Sequence, residues 1–308
     1  MVSEDLGEQE EQFLEKVLII GCGDVGLRVA RLARGRGAAV TVLVRSEENR
    51  RRLEEKGFTA LSGDLDAPSS FPALQSREAV LYYFVPPPGK GAGDSRMEHL
   101  CASIRPGEAP AKIVYISTSG VYGDCGGADV TEEAPVNPQT DRARRRLAAE
   151  DHLRALGALR GVAVIVLRVP GIYGPGRLPL ERIRAGQPVL AEAEAPWTNR
   201  IHADDLARVC IAAGEKGKGG EVFNVSDGRP GTMTEYFNAV ADACGLPRPP
   251  QVTLAEARRT MTPLMLSYLV ESRRMDNTLM LEKLGIELLY PDLEAGIRAS
   301  LEENVEPD

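Results

Sequence analysis

The chain has 308 residues, which is enough for one large α/β domain or for a nucleotide-binding domain with a smaller companion. Its 43% hydrophobic and 27% charged residues and its formal net charge of −8 are those of an ordinary globular protein. The acidic balance, without interleaved basic and aromatic residues, argues against nucleic acid as a partner, and no apolar run approaches the ~18 residues of a membrane span.

The N-terminal segment and the cysteines carry little structural signal. Residues 1–12 are acidic and lack the basic start and apolar core of a signal peptide, so we interpret them as a disordered tail that precedes the fold. The five cysteines are widely spaced and include neither a C-x-x-C pair nor a Cys/His set with zinc spacing. We therefore predict no metal site and a reducing, cytoplasmic location.

Short apolar runs rich in β-branched residues alternate with segments of helical periodicity along the first half of the chain. Strands that are apolar on both faces and alternate with helices predict a parallel sheet covered on each side. Right-handed crossovers then give an α/β fold with a doubly wound, Rossmann-type sheet. The predicted strands are 17–20, 39–44, 79–85, 113–117 and 162–169.

The regular alternation ends after residue 169, where glycine and proline become frequent. We therefore predict a dinucleotide-binding Rossmann domain over 13–170 and a smaller C-terminal substrate lobe over 171–308. One further strand is predicted at 221–225, and the sequence leaves open whether it belongs to the lobe or returns to the main sheet.

The first apolar run leads directly into the loop Gly21-Cys-Gly-Asp-Val-Gly26, which is followed by helical periodicity. Gly21 permits a sharp turn, Gly23 lets the backbone approach a pyrophosphate, and Gly26 lets the helix pack closely on the strand. The unpaired N–H groups of the helix start then bind the anion. The loop predicts a dinucleotide site, in which Cys22 is either a thiol activated by the helix N-terminus or a small packed residue.

The end of the second predicted strand indicates which dinucleotide is bound. An Asp or Glu at this point would accept hydrogen bonds from the adenosine 2′-hydroxyl, but the chain has Arg45 and Ser46 instead. A guanidinium and a hydroxyl suit a 2′-phosphate. The sequence therefore favours NADP over NAD, the alternative being that Arg45 is simply an exposed residue at the strand end.

Five further motifs follow the glycine loop in order: GDL at 63–65, VYISTSGVYG at 114–123, LRVPGIYGPG at 167–176, RIHADDL at 200–206 and VFNVS at 222–226. Together they resemble the extended short-chain dehydrogenases/reductases, the NAD-dependent epimerase/dehydratase family of sugar-nucleotide enzymes. The resemblance covers residues 16–247. It implies an NAD(P)-dependent enzyme with a small-molecule substrate, and a homodimer formed through helices near an arginine cluster at 142–146.

The chain departs from this family at the catalytic pair. The family's Tyr-x-x-x-Lys falls on Arg142 and Arg146, and no tyrosine lies between positions 122 and 173 and no lysine between 112 and 216. A guanidinium with a pKa above ~12 does not exchange protons near neutrality, so Arg142 cannot replace the tyrosine. Arg146 could still bind ribose hydroxyls or a phosphate. These losses resemble the atypical branch of the family. The glycine pattern also begins one residue late, with Ile20 at the family's first glycine.

Other side chains offer partial substitutes. Thr118 falls on the family's Ser/Thr position, and its hydroxyl could hydrogen-bond a substrate oxygen. Tyr122 and Tyr173 flank the expected cleft, and either phenol could replace the missing one only if the substrate lies differently. His202 lies at a strand-to-helix junction, where we expect a structural hydrogen bond rather than proton transfer.

The loop and the resemblance together define a candidate site. We expect an NADP(H)-dependent oxidoreductase or epimerase that acts on a sugar nucleotide or another small carbonyl or alcohol substrate. Because the proton-transfer pair is missing, the alternative is a non-catalytic NADP(H)-binding redox sensor or interaction module. The residues assigned to the cofactor are Gly21, Cys22, Gly23, Asp24, Val25, Gly26, Arg45, Ser46, Asp64, Leu65, Val85, Pro86, Ser117 and Arg146.

Overall fold

Seven parallel strands form the central sheet of the computed structural model, which describes residues 14–262, 266 and 269–302. The predicted tail at 1–12 lies outside the described residues. In chain order the strands are β1 (Lys16–Ile20), β2 (Ala39–Val44), β3 (Thr59–Ser62), β4 (Val80–Tyr83), β5 (Lys112–Thr118), β6 (Asp129–Val130), β7 (Ala163–Val169), β8 (Gly171–Tyr173), β9 (Val189–Leu190), β10 (Trp197–Thr198), β11 (Arg200–His202), β12 (Val222–Asn224), β13 (Gly231–Thr232), β14 (Gln251–Val252) and β15 (Arg274–Met275).

The order across the main sheet is β12-β7-β5-β4-β1-β2-β3, with all neighbours parallel. The direction of winding reverses between β1 and β4. In open α/β sheets ligands bind in the crevice that such a reversal creates at the carboxyl ends of the strands. The fold therefore places its binding crevice where the glycine loop leaves β1.

Both faces of the sheet are covered by helices. The helices are α1 (Asp24–Gly35), α2 (Glu47–Glu55), α3 (Ser95–Ser103), α4 (Asp141–Arg160), α5 (Leu180–Arg184), α6 (Ala203–Lys216), α7 (Met233–Ala243), α8 (Leu254–Thr260), α9 (Thr278–Leu284) and α10 (Leu293–Glu302). Along β1, Ile19 packs in the core shared with α1, α2, α6 and α9, whereas Ile20 packs in the core shared with α3 and α4. Successive strand residues point to opposite faces, so burial on both faces explains the continuous apolar run and confirms the predicted doubly wound α/β fold.

A smaller cluster of elements packs beside the sheet around Tyr173, Ile183, Phe237 and Ile297. The chain does not stay in this cluster after residue 170, because α6 packs against α1 and β12 pairs with β7 in the main sheet. The strand predicted at 221–225 therefore lies in the central sheet. The division of the chain at residue 170 remains a prediction.

Helix α4 carries the arginine cluster toward the crevice. It begins after Thr140, whose side chain accepts a hydrogen bond from the backbone N–H of Ala143 at 3.2 Å, and it ends at Gly161 in the left-handed conformation. Arg142 and Arg146 are thus one turn apart in the first two turns of the helix, on one side of it.

Candidate active site

A cavity of about 520 Å³ opens at the carboxyl ends of β1, β2 and β4. Most of the residues that the sequence assigns to the cofactor line it together. These are Gly21, Cys22, Gly23, Asp24, Val25, Gly26, Arg45, Asp64, Leu65, Val85, Pro86 and Arg146.

The glycine loop has the backbone shape that a pyrophosphate needs. Gly21 has a φ of +91°, and a Cβ there would lie 2.9 Å from a methyl of Val85. A Cβ on Gly26 would lie 2.7 Å from the carbonyl oxygen of Gly21. Gly23 faces open space, with nothing within 4 Å of its Cβ position, so its backbone is accessible at the start of α1. The loop therefore fits a dinucleotide.

Two of the assigned residues have other roles, and Cys22 lines the cavity without an activated thiol. The hydroxyl of Ser46 accepts the backbone N–H of Asn49 at 3.3 Å and caps α2, and Ser46 does not line the cofactor cavity. Ser117 is buried and donates a hydrogen bond to Glu150 at 2.5 Å. It lines a second, adjoining cavity and not the cofactor cavity. Burial raises the pKa of the Cys22 thiol to about 11, which indicates a packed residue and not an activated thiol.

Two further side chains at the adenosine end were missed by the sequence reasoning. Asn49 and Arg52, three residues apart on α2, line the cavity together with Arg45. On the same helix Arg50 pairs with Glu47 and Glu54, but no ion pair joins Arg45 or Arg52 to a carboxylate within the described part of the chain. Two guanidinium groups are therefore available at this end.

A second cavity of about 620 Å³ adjoins the first and forms a cleft between the main sheet and the smaller cluster. Ile116, Arg146, Ile172 and Arg177 line both cavities. We call this shared boundary the junction. A ligand that extends from the first cavity would reach the second at these four residues.

The cleft has an unusually positive lining for a chain of net charge −8. Across the described residues, Glu271 is the one carboxylate that lines it, and Arg273 pairs with it at 2.9 Å. Concentrated positive charge in a concave site attracts anionic ligands. The arginines that line the cleft are Arg142, Arg146, Arg177, Arg182, Arg200 and Arg273.

Three of these arginines are held by neutral groups. Arg146 donates to the carbonyl of Ile116 at 2.9 Å, and Arg182 donates to the side-chain oxygen of Gln187 at 2.9 Å. Arg200 is 5% exposed, donates to a backbone carbonyl, and stacks 4.5 Å from the ring centre of Tyr236. Burial lowers the pKa of Arg200. A buried guanidinium whose contacts are neutral is costly, and an anionic ligand would offset that cost.

The structure separates the two strongest catalytic candidates. Thr118 is half-buried and lines the cleft, and its oxygen accepts the backbone N–H of Gly120 at 3.2 Å, so its own proton remains available to a substrate oxygen. Tyr122 is 1% exposed, does not line the cleft, and donates its hydroxyl to the side chain of Asn224 at 2.8 Å. The prediction that Tyr122 could replace the missing phenol is therefore wrong, because its hydrogen bond to Asn224 on β12 holds the hydroxyl away from the cleft.

The remaining candidates are also turned away from the cleft. Tyr173 contributes to the lining, but its phenol oxygen is buried next to Gly296, and burial raises its pKa. His202 is fully buried; one ring nitrogen accepts the backbone N–H of Asp204, the other contacts Ser300, and burial lowers the pKa to about 4. These contacts agree with the structural role expected for His202.

The side chains of the arginine cluster at 142–146 point in two directions. Arg142 and Arg146 line the cleft, but Arg145 is buried and donates to the backbone carbonyl of Gly91 at 2.9 Å. Arg145 therefore does not contribute its charge to the cleft, because the loop after β4 covers it.

Residues 93–226 match the model of the NAD dependent epimerase/dehydratase family, and residues 17–81 match the TrkA-N domain. Over residues 93–226 the chain is therefore similar to the NAD-dependent epimerase/dehydratase family. The predicted resemblance is thus confirmed over these residues, and the predicted enzyme class, an NAD(P)-dependent oxidoreductase or epimerase, is consistent with it.

Individual relatives match different shares of the chain. Protein YeeZ of Escherichia coli K12 is 27% identical over 294 residues, which is 91% of this chain and 97% of that protein. The UDP-glucose 4-epimerase of Mycolicibacterium smegmatis is 28% identical over 189 residues, which is 56% of each chain.

Solved structures agree on the fold. A conserved protein of unknown function from Silicibacter pomeroyi superposes with a TM-score of 0.78 at 26% identity, covering 95% of this chain and 100% of that one. A UDP-glucuronic acid 4-epimerase from Bacillus cereus in complex with NAD superposes with a TM-score of 0.73 at 18% identity over 94% of this chain and 100% of that one, and shows the fold alone. Among the described helices, none is long and apolar enough to cross a membrane.

Proposed function

We propose that this protein binds NADP(H) in the first cavity and acts as an oxidoreductase or epimerase on an anionic carbonyl or alcohol substrate in the second. The observation that carries the proposal is the junction, at which Ile116, Arg146, Ile172 and Arg177 border both cavities. A dinucleotide whose pyrophosphate lies at the start of α1 would extend its nicotinamide to this boundary.

The preference for NADP rests on the adenosine end of the cavity. Arg45, at the end of β2, and Arg52, on α2, supply guanidinium groups without a carboxylate partner in the described chain, and Asn49 lies beside them. Guanidinium groups bind phosphate through paired hydrogen bonds. No Asp or Glu occupies the position at the strand end that would select a free 2′-hydroxyl.

At the junction the chain's own residues orient the reactants. When bound, the nicotinamide supplies or accepts the hydride. Arg146 is anchored on the Ile116 carbonyl and directs its remaining N–H groups to ribose hydroxyls, and Thr118 donates its hydroxyl to the substrate oxygen. Because Arg142 stands where the family has its proton-transferring tyrosine, proton transfer falls to water or to the cleft carboxylate Glu271.

A sugar nucleotide fits the cleft as substrate. Arg182 and Arg200 offer charge to a diphosphate, and Trp197, 40% exposed on the cleft wall, offers an aromatic face to a base. Relatives of this chain bear the names UDP-glucose 4-epimerase and dTDP-glucose 4,6-dehydratase. Other small molecules with an anionic group and a carbonyl or carbinol carbon would meet the same lining.

The replacement of the family's tyrosine by Arg142 supports a second candidate function. A site that keeps the dinucleotide loop and fills the proton-transfer positions with arginines could hold NADP(H) without turnover, as a redox sensor or interaction module. The homodimer and the cytoplasmic location stay predictions; Leu159, 81% exposed on α4, is available to such a helix interface.

Calorimetry and a turnover assay separate these functions. NADP⁺ and NAD⁺ are titrated into the wild-type protein and Arg52→Ala, with Arg51→Ala as a control on the same helix. NADPH oxidation is then followed with a panel of ketones and aldehydes, and NADP⁺ reduction and epimer formation are followed with a panel of sugar nucleotides. We expect NADP⁺ to bind more tightly than NAD⁺, and Arg52→Ala to reduce that difference by about tenfold, the value of one charge-assisted contact.

Turnover by the wild-type protein that is lost in Thr118→Val would support the enzyme. Tight binding without turnover on any panel member, weakened by Arg146→Ala but not by Arg144→Ala, would support the sensor. Failure to bind either dinucleotide at millimolar concentration would overturn both.

A further inference from the structure

An ion pair joins the glycine loop to the segment that follows β8. Nε of Arg177 contacts Oδ2 of Asp24 at 2.6 Å, across 153 positions of sequence. Both side chains line the cofactor cavity, and Arg177 also lines the substrate cleft. The two side chains are about one-third exposed, at 34% and 38%. The pair therefore bridges the two walls of the binding crevice at the junction.

Asp24 needs such a partner because of where it lies. It is the first residue of α1, where a dinucleotide loop receives the pyrophosphate. A carboxylate is stable at the positive end of a helix, but it repels a neighbouring phosphate. Although burial favours the neutral acid, hydrogen bonds and charge from Arg177 and Arg28 prevail and lower the pKa of Asp24, so it is ionised at neutral pH.

Arg28 alone is not a complete partner for this carboxylate. It contacts Asp24 at 3.1 Å, but it also forms an ion pair with Asp204 at the start of α6. Its charge is therefore shared between two carboxylates. Arg177 has Asp24 as its one ion-pair partner in the described chain. Removal of Arg177 would leave excess negative charge at the mouth of the phosphate site.

We propose that Arg177 is a positioning residue for the cofactor, which neutralises Asp24 beside the pyrophosphate and ties the substrate side of the crevice to the glycine loop. The proposal rests on the proposed function, because it presumes that a dinucleotide occupies the first cavity. Release of the cofactor then requires the Arg177–Asp24 pair to separate. Loss of Arg177 therefore raises the rate at which the cofactor dissociates, because the charge of Asp24 is then no longer neutralised.

The test measures the dissociation of NADPH by stopped-flow fluorescence, with excess NADP⁺ as the displacing ligand, and the Kd by calorimetry. The variants are Arg177→Ala, Asp24→Asn and the double variant. Arg229→Ala is the matched control, since Arg229 is also an exposed arginine paired with an aspartate, at 3.2 Å from Asp292. Melting temperatures are recorded for all variants.

We expect Arg177→Ala to raise the dissociation rate by about fivefold, the upper range for an exposed ion pair, with an unchanged melting temperature. In the Asp24→Asn background, where no carboxylate is left to neutralise, the same substitution should change the rate by less than about twofold. Arg229→Ala should leave the rate unchanged.

An unchanged dissociation rate in Arg177→Ala would overturn the proposal. An equal increase in both backgrounds would also overturn it, because Arg177 would then act on the phosphates directly and not through Asp24. If the wild-type protein bound no NADPH, the proposed function would fail first, and the present inference with it.

Discussion

The two cavities that meet at the junction are built in different ways. The cofactor cavity is formed largely by backbone and apolar side chains from consecutive residues at 21–26, together with the ends of β2 and β4. The substrate cleft takes its charge from arginines on separate elements, among them Arg146 on α4, Arg182 on α5 and Arg200 on β11. Shape is thus set locally in the first cavity, whereas charge in the second depends on the assembled fold.

This difference predicts that changes in the glycine loop act by excluding the ligand, and that changes to the arginines of the cleft act by removing charge. Substitutions should therefore separate cofactor binding from substrate binding. The expected effects run from a large loss of dinucleotide affinity to a shift in the pH dependence of stability.

Gly23→Val should have the largest effect. The backbone at Gly23 has a φ of −80°, which any residue adopts, and nothing lies within 4 Å of a Cβ there, so the variant should fold with an unchanged melting temperature. The added side chain would occupy the space next to the pyrophosphate. We expect NADPH affinity, measured by calorimetry, to fall by at least about 100-fold, or roughly 2.7 kcal/mol.

Gly35→Ala is the control for this substitution, because Gly35 is exposed near the end of α1 and a Cβ there also meets nothing within 4 Å. It should bind NADPH normally. Normal binding by Gly23→Val would contradict a phosphate site at this loop.

Glu271→Gln tests the carboxylate in the cleft. The amide keeps an oxygen that can accept a hydrogen bond from Arg273, so the geometry should persist while proton exchange is lost. If Glu271 carries the proton, kcat should fall by about 100-fold and KM should change little. Glu282→Gln, on the exposed surface of α9, should behave as wild type. An unchanged rate would assign the proton transfer to water.

Arg200→Met tests how much buried charge contributes to ligand binding in the substrate cleft. It removes a buried charge and keeps the side-chain length, so we expect UDP-glucose to bind about tenfold more weakly while NADPH affinity is unchanged. The free energy of unfolding should hold or rise, because the guanidinium is buried against neutral groups. A parallel loss of NADPH binding would show that the two cavities are not separable.

His202→Asn should have the smallest effect, on stability and not on binding. His202 has a pKa lowered to about 4, chiefly by burial, so the unfolded chain binds its proton more readily between pH 6.5 and pH 4. Stability from the neutral imidazole is present above pH 6.5 and is lost as the pH falls toward 4, by about 1–3 kcal/mol. Denaturant unfolding at several pH values should show a flatter dependence in the variant, which retains a residue suited to the N-cap of α6. An identical slope would contradict the assignment.

The fold and the glycine loop were predictable because their signals lie in adjacent residues. The two-sided apolar runs fix the strands, and the spacing of Gly21, Gly23 and Gly26 fixes the loop. Ser46 was assigned to the cofactor because a hydroxyl just before a helix is typical both of a phosphate ligand and of an N-cap. The hydrogen bond from the backbone N–H of Asn49 to its hydroxyl identifies Ser46 as the N-cap.

The cleft was less predictable because long-range packing decides where its side chains point. Tyr122 is turned away from the cleft by its hydrogen bond to Asn224, 102 residues further along the chain. Asn224 lies on β12, and no local sequence pattern predicted that this strand pairs with β7 in the main sheet. The pairing of Asp24 with Arg177 likewise joins segments that no spacing rule connects. Asn49 and Arg52 are three residues apart on α2 and so share a face of the helix, and attention to that face could have found them.

The central claim is that the junction brings a bound nicotinamide to an anionic substrate. The most direct test has two arms. The protein is incubated with NADPH deuterated at nicotinamide C4 and the ketones and aldehydes of the panel, and deuterium in the products is measured by mass spectrometry; it is also incubated with NADP⁺ and the sugar nucleotides, and epimers and oxidised products are measured by chromatography. We predict hydride transfer in at least one arm with an anionic substrate, and its loss in Thr118→Val. Tight NADP(H) binding without deuterium transfer, epimer formation or oxidation of any panel member would contradict the claim and favour the sensor.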